Sequence, residues 1–410
     1  MRHKIFYGWW IVLSCFFISL YVSGTIFYGF TAFFEPIAQE FGWSYTQISF
    51  ASSLRGLEMG LLSPFVGFLV YRFGSRKLIF GGVVIIGFGM ILLSKTQTLY
   101  MFYAAFLLLS FGAGGCANVT TMTAVTNWFS KNSGKALGVM SAGFGFGGLL
   151  VPLIVFLIDS YGWRNAYIIF GFGMWLLGIP LSYVIRDQPE QYGYLPDGEK
   201  NVPSHNDIES QNIKTEIPFI VAFKNTSFLF ICLSEVIRFF VLGSVFLHIM
   251  PYLSTIGISR TKGSLVTAII PIFSVLGRLG FGYLGDRYDK RYVMTVAYIF
   301  MAIGMFFLNY VNATLKLAFF IFFFSLGQGG LAVLRGSITR EYFGRQLFPK
   351  LIGIMMGLSS IGGIIGPTLT GWIYDSFDSY TFIWFACTGI LLLAFIMILS
   401  IKPERKPSRG

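Results

Sequence analysis

Apolar residues in this chain gather in long unbroken stretches, separated by short groups of charged residues, proline and glycine. A bilayer-crossing helix needs roughly 20 mostly apolar residues. Twelve windows of that kind can be drawn, at 9–33, 46–71, 78–95, 98–127, 136–158, 165–186, 224–250, 262–284, 292–310, 316–338, 351–373 and 380–401. Membrane strands would alternate apolar and polar positions, whereas the runs 317–324 and 391–399 are apolar on every side. The pattern therefore predicts an all-α integral membrane protein with twelve transmembrane helices. The first stretch is too long for a signal peptide, has no small-residue cleavage site and leads into another span, so an uncleaved first helix is expected.

Polar positions divide the chain further. The stretch 187–223, with Pro189, Pro196, Pro203 and Pro218 and no apolar period, reads as a cytoplasmic linker. It separates six spans in 1–186 from six in 224–401, and a short tail, 402–410, follows. The halves resemble each other. Gly-Phe-Leu-Val-Tyr-Arg-Phe-Gly from Gly67 matches Gly-Tyr-Leu-Gly-Asp-Arg-Tyr-Asp from Gly282, and Gly112-Ala-Gly-Gly matches Gly327-Gln-Gly-Gly at the same offset of 215 residues. A duplicated six-plus-six architecture is expected, with a substrate site near the bilayer midplane between two rocking halves.

Composition excludes a soluble domain: 55% of the 410 residues are hydrophobic, 12% are charged, and mean hydropathy is +0.70. The net charge of +12 does not indicate nucleic acid, because of where it lies. With both termini inside, 21 of the 30 Lys and Arg fall on the cytoplasmic side and five fall outside, namely Lys95, Arg164, Arg260, Lys262 and Lys316. That asymmetry orients the chain, with cytoplasmic termini in the inner cell membrane. Cys15, Cys116, Cys232 and Cys387 all lie inside spans at no metal-like spacing and are read as packing residues. With three histidines and no cluster of ligand or nucleophile spacing, neither an enzyme nor a metal or cofactor site is expected. The glycine clusters at 143–148 and 353–366 lack a preceding strand and a Gly-Lys-Ser/Thr, so they are read as close helix contacts rather than phosphate loops.

The loop after the second span, from Gly67 through Tyr71, Arg72, Gly74, Arg76 and Lys77, resembles the signature loop of the major facilitator superfamily, and it recurs at 282–291. The resemblance covers the whole chain. It implies that Gly67, Arg72, Gly74, Arg76, Asp286 and Arg287 form a gating motif near the cytoplasmic end. Tyr71 stands where that pattern has an acid, which Asp286 supplies in the second copy. Phe41-Gly42-Trp43-Ser44, Trp128-Phe129, Tyr342-Phe343-Gly344 and Gly277-Arg278 narrow the resemblance to the oxalate/formate antiporter and monocarboxylate transporter branches. Those branches imply a substrate-binding arginine at Arg278. The lysine that the oxalate branch carries in the eleventh span is missing, and Gly277 replaces the Asp that the animal monocarboxylate branch places before the arginine.

Six charged residues fall inside spans: Arg55, Glu58, Glu235, Arg238, Arg278 and Arg335. Each costs several kcal/mol unless something compensates it. Arg55/Glu58 and Glu235/Arg238 are acid/base pairs at i,i+3, and read either as structural ion pairs or as carboxylates that take up a proton. Arg278 has no acid within one turn of its own helix, and its planar donors match a carboxylate ligand. Arg335 lines a cavity or snorkels to the headgroups. Asn118 and Gln328 contact substrate or join helices. His248 titrates near neutrality or is an interfacial residue.

The four arginines and two glutamates leave an excess of positive charge suited to an organic anion. The resulting reading is a secondary active transporter of a small organic anion, a monocarboxylate, working by alternating access with proton symport. Carboxylate exchange and drug or metabolite efflux are the alternatives. The expected partners are the anion, protons and the lipid bilayer; neither nucleic acid nor an oligomer is required.

Overall fold

The computed structural model describes residues 6–61, 66, 69–70, 72–116, 118–129, 132–195, 225–310 and 314–401, without the helix side chains at 55–61, 118–119, 133–134, 314, 344–346 and 349. Twelve helices follow the expected windows. They are α1 (Gly8–Phe41), α2 (Tyr45–Leu61), α3 (Ser75–Ser94), α4 (Leu99–Trp128), α5 (Lys135–Tyr161), α6 (Trp163–Val184), α7 (Thr226–Thr255), α8 (Arg260–Arg287), α9 (Lys290–Asn309), α10 (Leu315–Phe343), α11 (Lys350–Phe377) and α12 (Thr381–Leu399). Among the described residues, eleven of them are long and apolar enough to cross a membrane; α2 is described over 17 residues.

The helices overshoot the apolar windows at several ends. α1 continues past position 33 to Phe41 with Pro36 inside it, and α7 continues past Pro251 to Thr255. An apolar window marks where a helix leaves hydrocarbon, whereas the helix itself ends where its backbone finds other partners. Helical hydrogen bonding also persists from Thr314 to Phe377, over 64 residues. The chain nevertheless turns back within that run, because Arg335 Nη1 lies 3.2 Å from Met356 Sδ. A straight helix would separate the two residues by about 30 Å.

The residues pack as two compact units, one of Met1–Pro36 with Leu61–Glu216, the other of Ile37–Gly60 with Ile217–Gly410. In the first unit α1 contains a π-helical turn, Ser23–Tyr28, which meets a 3-10 turn of α5, Gly147–Leu149. A Cβ on Gly24 would stand 2.6 Å from the Gly147 carbonyl oxygen, so only glycine permits that approach.

The second unit includes α2, which α11 holds at several points. Asp375 accepts hydrogen bonds from the backbone N–H groups of Tyr45 (3.0 Å) and Thr46 (2.8 Å), capping α2 from a neighbouring helix. Ser53 Oγ donates to the Ile364 carbonyl at 2.6 Å and lies 2.7 Å from Thr368 Oγ1.

The internal repeat is visible as packing. A Cβ on Gly112 of α4 would meet the Gly82 oxygen at 3.0 Å and the Ile86 nitrogen at 2.9 Å on α3. A Cβ on Gly327 of α10 would meet the Ala297 oxygen at 2.6 Å and the Met301 nitrogen at 2.7 Å on α9. All three positions differ by the same 215 residues. Each half thus uses a glycine at one equivalent place to bring its fourth helix onto its third. Gly327→Val is expected to lower the detergent-solubilised melting temperature, by overpacking worth about 1–3 kcal/mol. Gly389→Ala, where an added Cβ meets nothing within 4 Å, should leave the melting temperature unchanged.

Candidate functional site

Two arginines of the second unit, Arg238 and Arg335, converge on one carboxylate, that of Glu235. Glu235 and Arg238 sit three residues apart on α7 and so share a face. Arg238 Nε donates to Glu235 Oε1 at 3.0 Å and Nη2 to Oε2 at 2.7 Å, a two-pronged pair. From α10, Arg335 Nη1 donates to the same Oε2 at 3.3 Å and approaches Met356 Sδ. The Phe239 ring lies under both guanidinium groups, at 4.7 Å from that of Arg238 and 5.8 Å from that of Arg335. The glutamate side chain is fully buried and that of Arg238 is 3% exposed, while that of Arg335 keeps 19% of its surface. One carboxylate shared by two guanidinium groups carries a net charge of +1, and its better-exposed member is Arg335. The snorkelling alternative for Arg335 does not describe this geometry, since its guanidinium turns to Glu235 rather than to the helix end.

Arg278 is half-buried on α8, beside a close helix crossing. A Cβ on Gly277 would lie 2.3 Å from the Leu326 carbonyl oxygen of α10, and one on Gly329 would lie 2.0 Å from the Ser274 oxygen of α8. The two backbones touch there, so position 277 has no room for the aspartate that the family resemblance would place beside the arginine. Gln328, 6% exposed, lies at i and Arg335 at i+7 on α10, one above the other on the same face.

His248 is elsewhere on α7, about 20 Å along the axis from Glu235. It is fully buried rather than interfacial. Its Nε2 lies 3.0 Å from the Pro367 carbonyl oxygen and 3.0 Å from Ser49 Oγ, and its Nδ1 lies 3.1 Å from Tyr380 Oη. A carbonyl can only accept, so Nε2 carries a proton; in the neutral ring Nδ1 then accepts from the tyrosine hydroxyl. This histidine ties α7, α2, α11 and the cap of α12 together at one point.

Of the gating motif, Gly67 lies outside the described residues, as do the side chains of Glu58, Arg55 and Asn118. Arg72 is exposed, and the Arg76 guanidinium lies 5.3 Å from the Tyr183 ring centroid. Gly74, with φ +83°, is the cap of α3, and the carboxylate beside it comes from Asp187 after α6, which accepts from the Arg76 N–H at 3.0 Å. A Cβ at position 74 would stand 2.6 Å from Asp187 Oδ2. In the second copy the cap is Asp289, which accepts from the Arg291 N–H at 2.9 Å, while Asp286 and Arg287 are exposed, with Arg287 over the Tyr283 ring at 4.4 Å. The segment ending each sixth helix is held in both halves. The Trp128 indole donates to the Arg186 carbonyl at 2.9 Å, and Arg291 Nη1 to the Ile401 carbonyl at 2.8 Å.

Sequence reasoning did not single out Asp187, Asp289, Asp375, Ser49, Tyr380 or Met356. The three acids sit just beyond span ends, where a carboxylate suggests only solvent; the signal available was a lone acid within a turn of a helix start or end. All four cysteines are buried and free, and no metal-ligating group occurs among the described residues.

Glu235→Gln leaves the buried Arg238 and the partly exposed Arg335 without their counter-charge and should destabilise the protein by about 3–5 kcal/mol. The check is a melting-temperature comparison with Glu235→Asp, which keeps the charge and should lose less.

A family model described as the Major Facilitator Superfamily matches residues 12–259 and 231–410. The chain is similar to human monocarboxylate transporter 7, at 24% identity over 97% of this chain and 86% of that protein. It is also similar to human monocarboxylate transporter 2, at 23% identity over 96% and 85%. Its fold matches that of a bacterial homologue of the human lysosomal transporter Spinster in its inward-facing, occupied conformation, with a TM-score of 0.75 and 15% identity over 96% of this chain and 97% of that one. The chain therefore belongs to the Major Facilitator Superfamily, as an all-α multi-pass membrane transporter and not an enzyme.

Proposed function

We propose that this transporter carries a small organic anion, a monocarboxylate, by secondary active transport with alternating access. The observation that carries the reading is the shared carboxylate: Glu235 neutralises one of two arginines and leaves a net +1 at membrane depth. Such an excess attracts an anion and disfavours a cation. Relatives named as monocarboxylate transporters support the same substrate class.

In this reading Arg278 clamps the carboxylate with its planar donors, and Arg335 is the second contact. Arg335 is held to Glu235 by a single 3.3 Å bond, weaker than the two-pronged Arg238 pair, and an incoming carboxylate replaces that bond at little cost. Arg238 is the permanent counter-charge, and Gln328 and Asn118 bond the rest of the substrate. Glu58, Glu235 and His248 are the proton carriers of the symport reading. Exchange of one carboxylate for another is the second reading, and the engagement of Glu235 favours it: both glutamate oxygens already accept bonds from arginines. Cytoplasmic termini, an inner-membrane location and a gating role for Gly67, Arg72, Gly74, Arg76, Asp286 and Arg287 belong to the same proposal.

Uptake of labelled lactate, pyruvate, formate and succinate into proteoliposomes tests it. Arg278→Ala should abolish uptake of the transported acid, and Arg335→Gln should lower uptake efficiency by roughly tenfold, the equivalent of about 1.4 kcal/mol. An imposed inward-directed proton gradient should stimulate symport, whereas preloaded unlabelled acid should stimulate exchange. Uptake indifferent to both arginines would exclude the proposed site.

A further inference from the structure

The first unit carries a groove that the transport reading does not use. It is lined by Ile85, Phe88, Ile91 and Leu92 of α3 and by Leu108 of α4, it ends at Lys95, and its volume is about 470 Å³. The α3 residues recur every three or four positions, so they form one stripe along the helix. From Ile85 to Lys95 that stripe is about 15 Å long at the helical rise, half of a hydrocarbon core about 30 Å thick. The stripe thus matches the depth of one leaflet, and it ends at the polar cap of a span.

Its walls are fixed and its mouth is cationic. Phe88 packs edge-on against Trp175 of α6 at 4.8 Å, and the Trp175 indole donates to the Val84 carbonyl at 3.1 Å. At the mouth Lys95 is exposed in the cap position of α3. The next residue, Thr96, accepts a 2.9 Å hydrogen bond at its carbonyl from Arg164 Nη2, so a guanidinium sits next to the lysine. That guanidinium stacks over Trp163 at 4.2 Å, a tryptophan and arginine pair of the kind that marks a membrane interface.

We infer that this groove binds one anionic phospholipid, with an acyl chain along Ile85, Phe88, Ile91 and Leu108 and the phosphate at Lys95. An apolar trough alone takes any lipid tail. The ammonium at its end, with Arg164 beside it, selects a headgroup of net negative charge and disfavours one that carries its own cation.

The test is native mass spectrometry of the full chain, released from micelles containing equal amounts of phosphatidylglycerol and phosphatidylcholine with identical acyl chains. The wild type should retain phosphatidylglycerol several-fold over phosphatidylcholine. Lys95→Gln should bring that ratio close to one, and Lys95→Arg should keep it. Lys316→Gln, which removes another cation expected on the same side, should leave the preference intact. Leu108→Trp, filling the trough, should reduce retention of both lipids. The Lys95 variants alter an exposed side chain and leave the packing untouched, so they decide the matter. Equal retention of the two lipids by the wild type, or an undiminished preference in Lys95→Gln, would overturn the inference.

Discussion

A carboxylate removed from water is tolerated only when charged donors replace the water it has lost. Glu235 is the place where this chain meets that condition, and much of the second unit follows from it. Its two oxygens accept from Arg238 on its own helix and from Arg335 on α10. Because one acid serves two bases, the cluster cannot be neutral, and the surplus charge rests on an arginine with part of its surface still open. A fully matched pair would have made only a structural element. The mismatch supplies an electrostatic reason for an anion to enter a region that otherwise repels charge.

Close backbone contact does the complementary work of placing the helices. Without a hydrophobic force between helices in lipid, packing relies on small residues that let backbones touch. Gly112 and Gly327 do this at equivalent positions of the two halves, and Gly277 with Gly329 does it where α8 crosses α10. The last crossing has a chemical consequence, because it leaves Arg278 with no acidic neighbour at 277. Any compensation for Arg278 then comes from other helices or from substrate. Helix ends follow a parallel logic: Asp187, Asp289 and Asp375 each lend a carboxylate to the N–H groups opening a helix.

How much of this was legible depended on the range of the interaction. The twelve spans, the duplication and the i,i+3 pair at 235 and 238 are local or periodic, and one sequence carries them. Arg335 joining that pair is not local: it stands 100 positions from Glu235, and nothing along the chain marks the encounter. The same holds for His248, whose partners are Ser49 of α2, Pro367 of α11 and Tyr380 at the start of α12, and which appeared from the sequence to be a residue near a span end. Gly277 was legible only as a missing aspartate; the reason for it, a carbonyl 2.3 Å from where its Cβ would be, belongs to the crossing. The capping acids were hidden because a carboxylate in a loop looks solvated until the helix start it faces is known.

A surplus guanidinium charge within the membrane should tell a carboxylate from its uncharged counterpart. Binding of lactate and of its uncharged amide, lactamide, to the purified protein by titration calorimetry addresses it most directly, since the two differ little except in charge. Lactate should bind measurably, and the binding should weaken at least about tenfold for lactamide, the loss of one charge-assisted contact of about 1.4 kcal/mol or more. Equal affinity for the acid and the amide would contradict it.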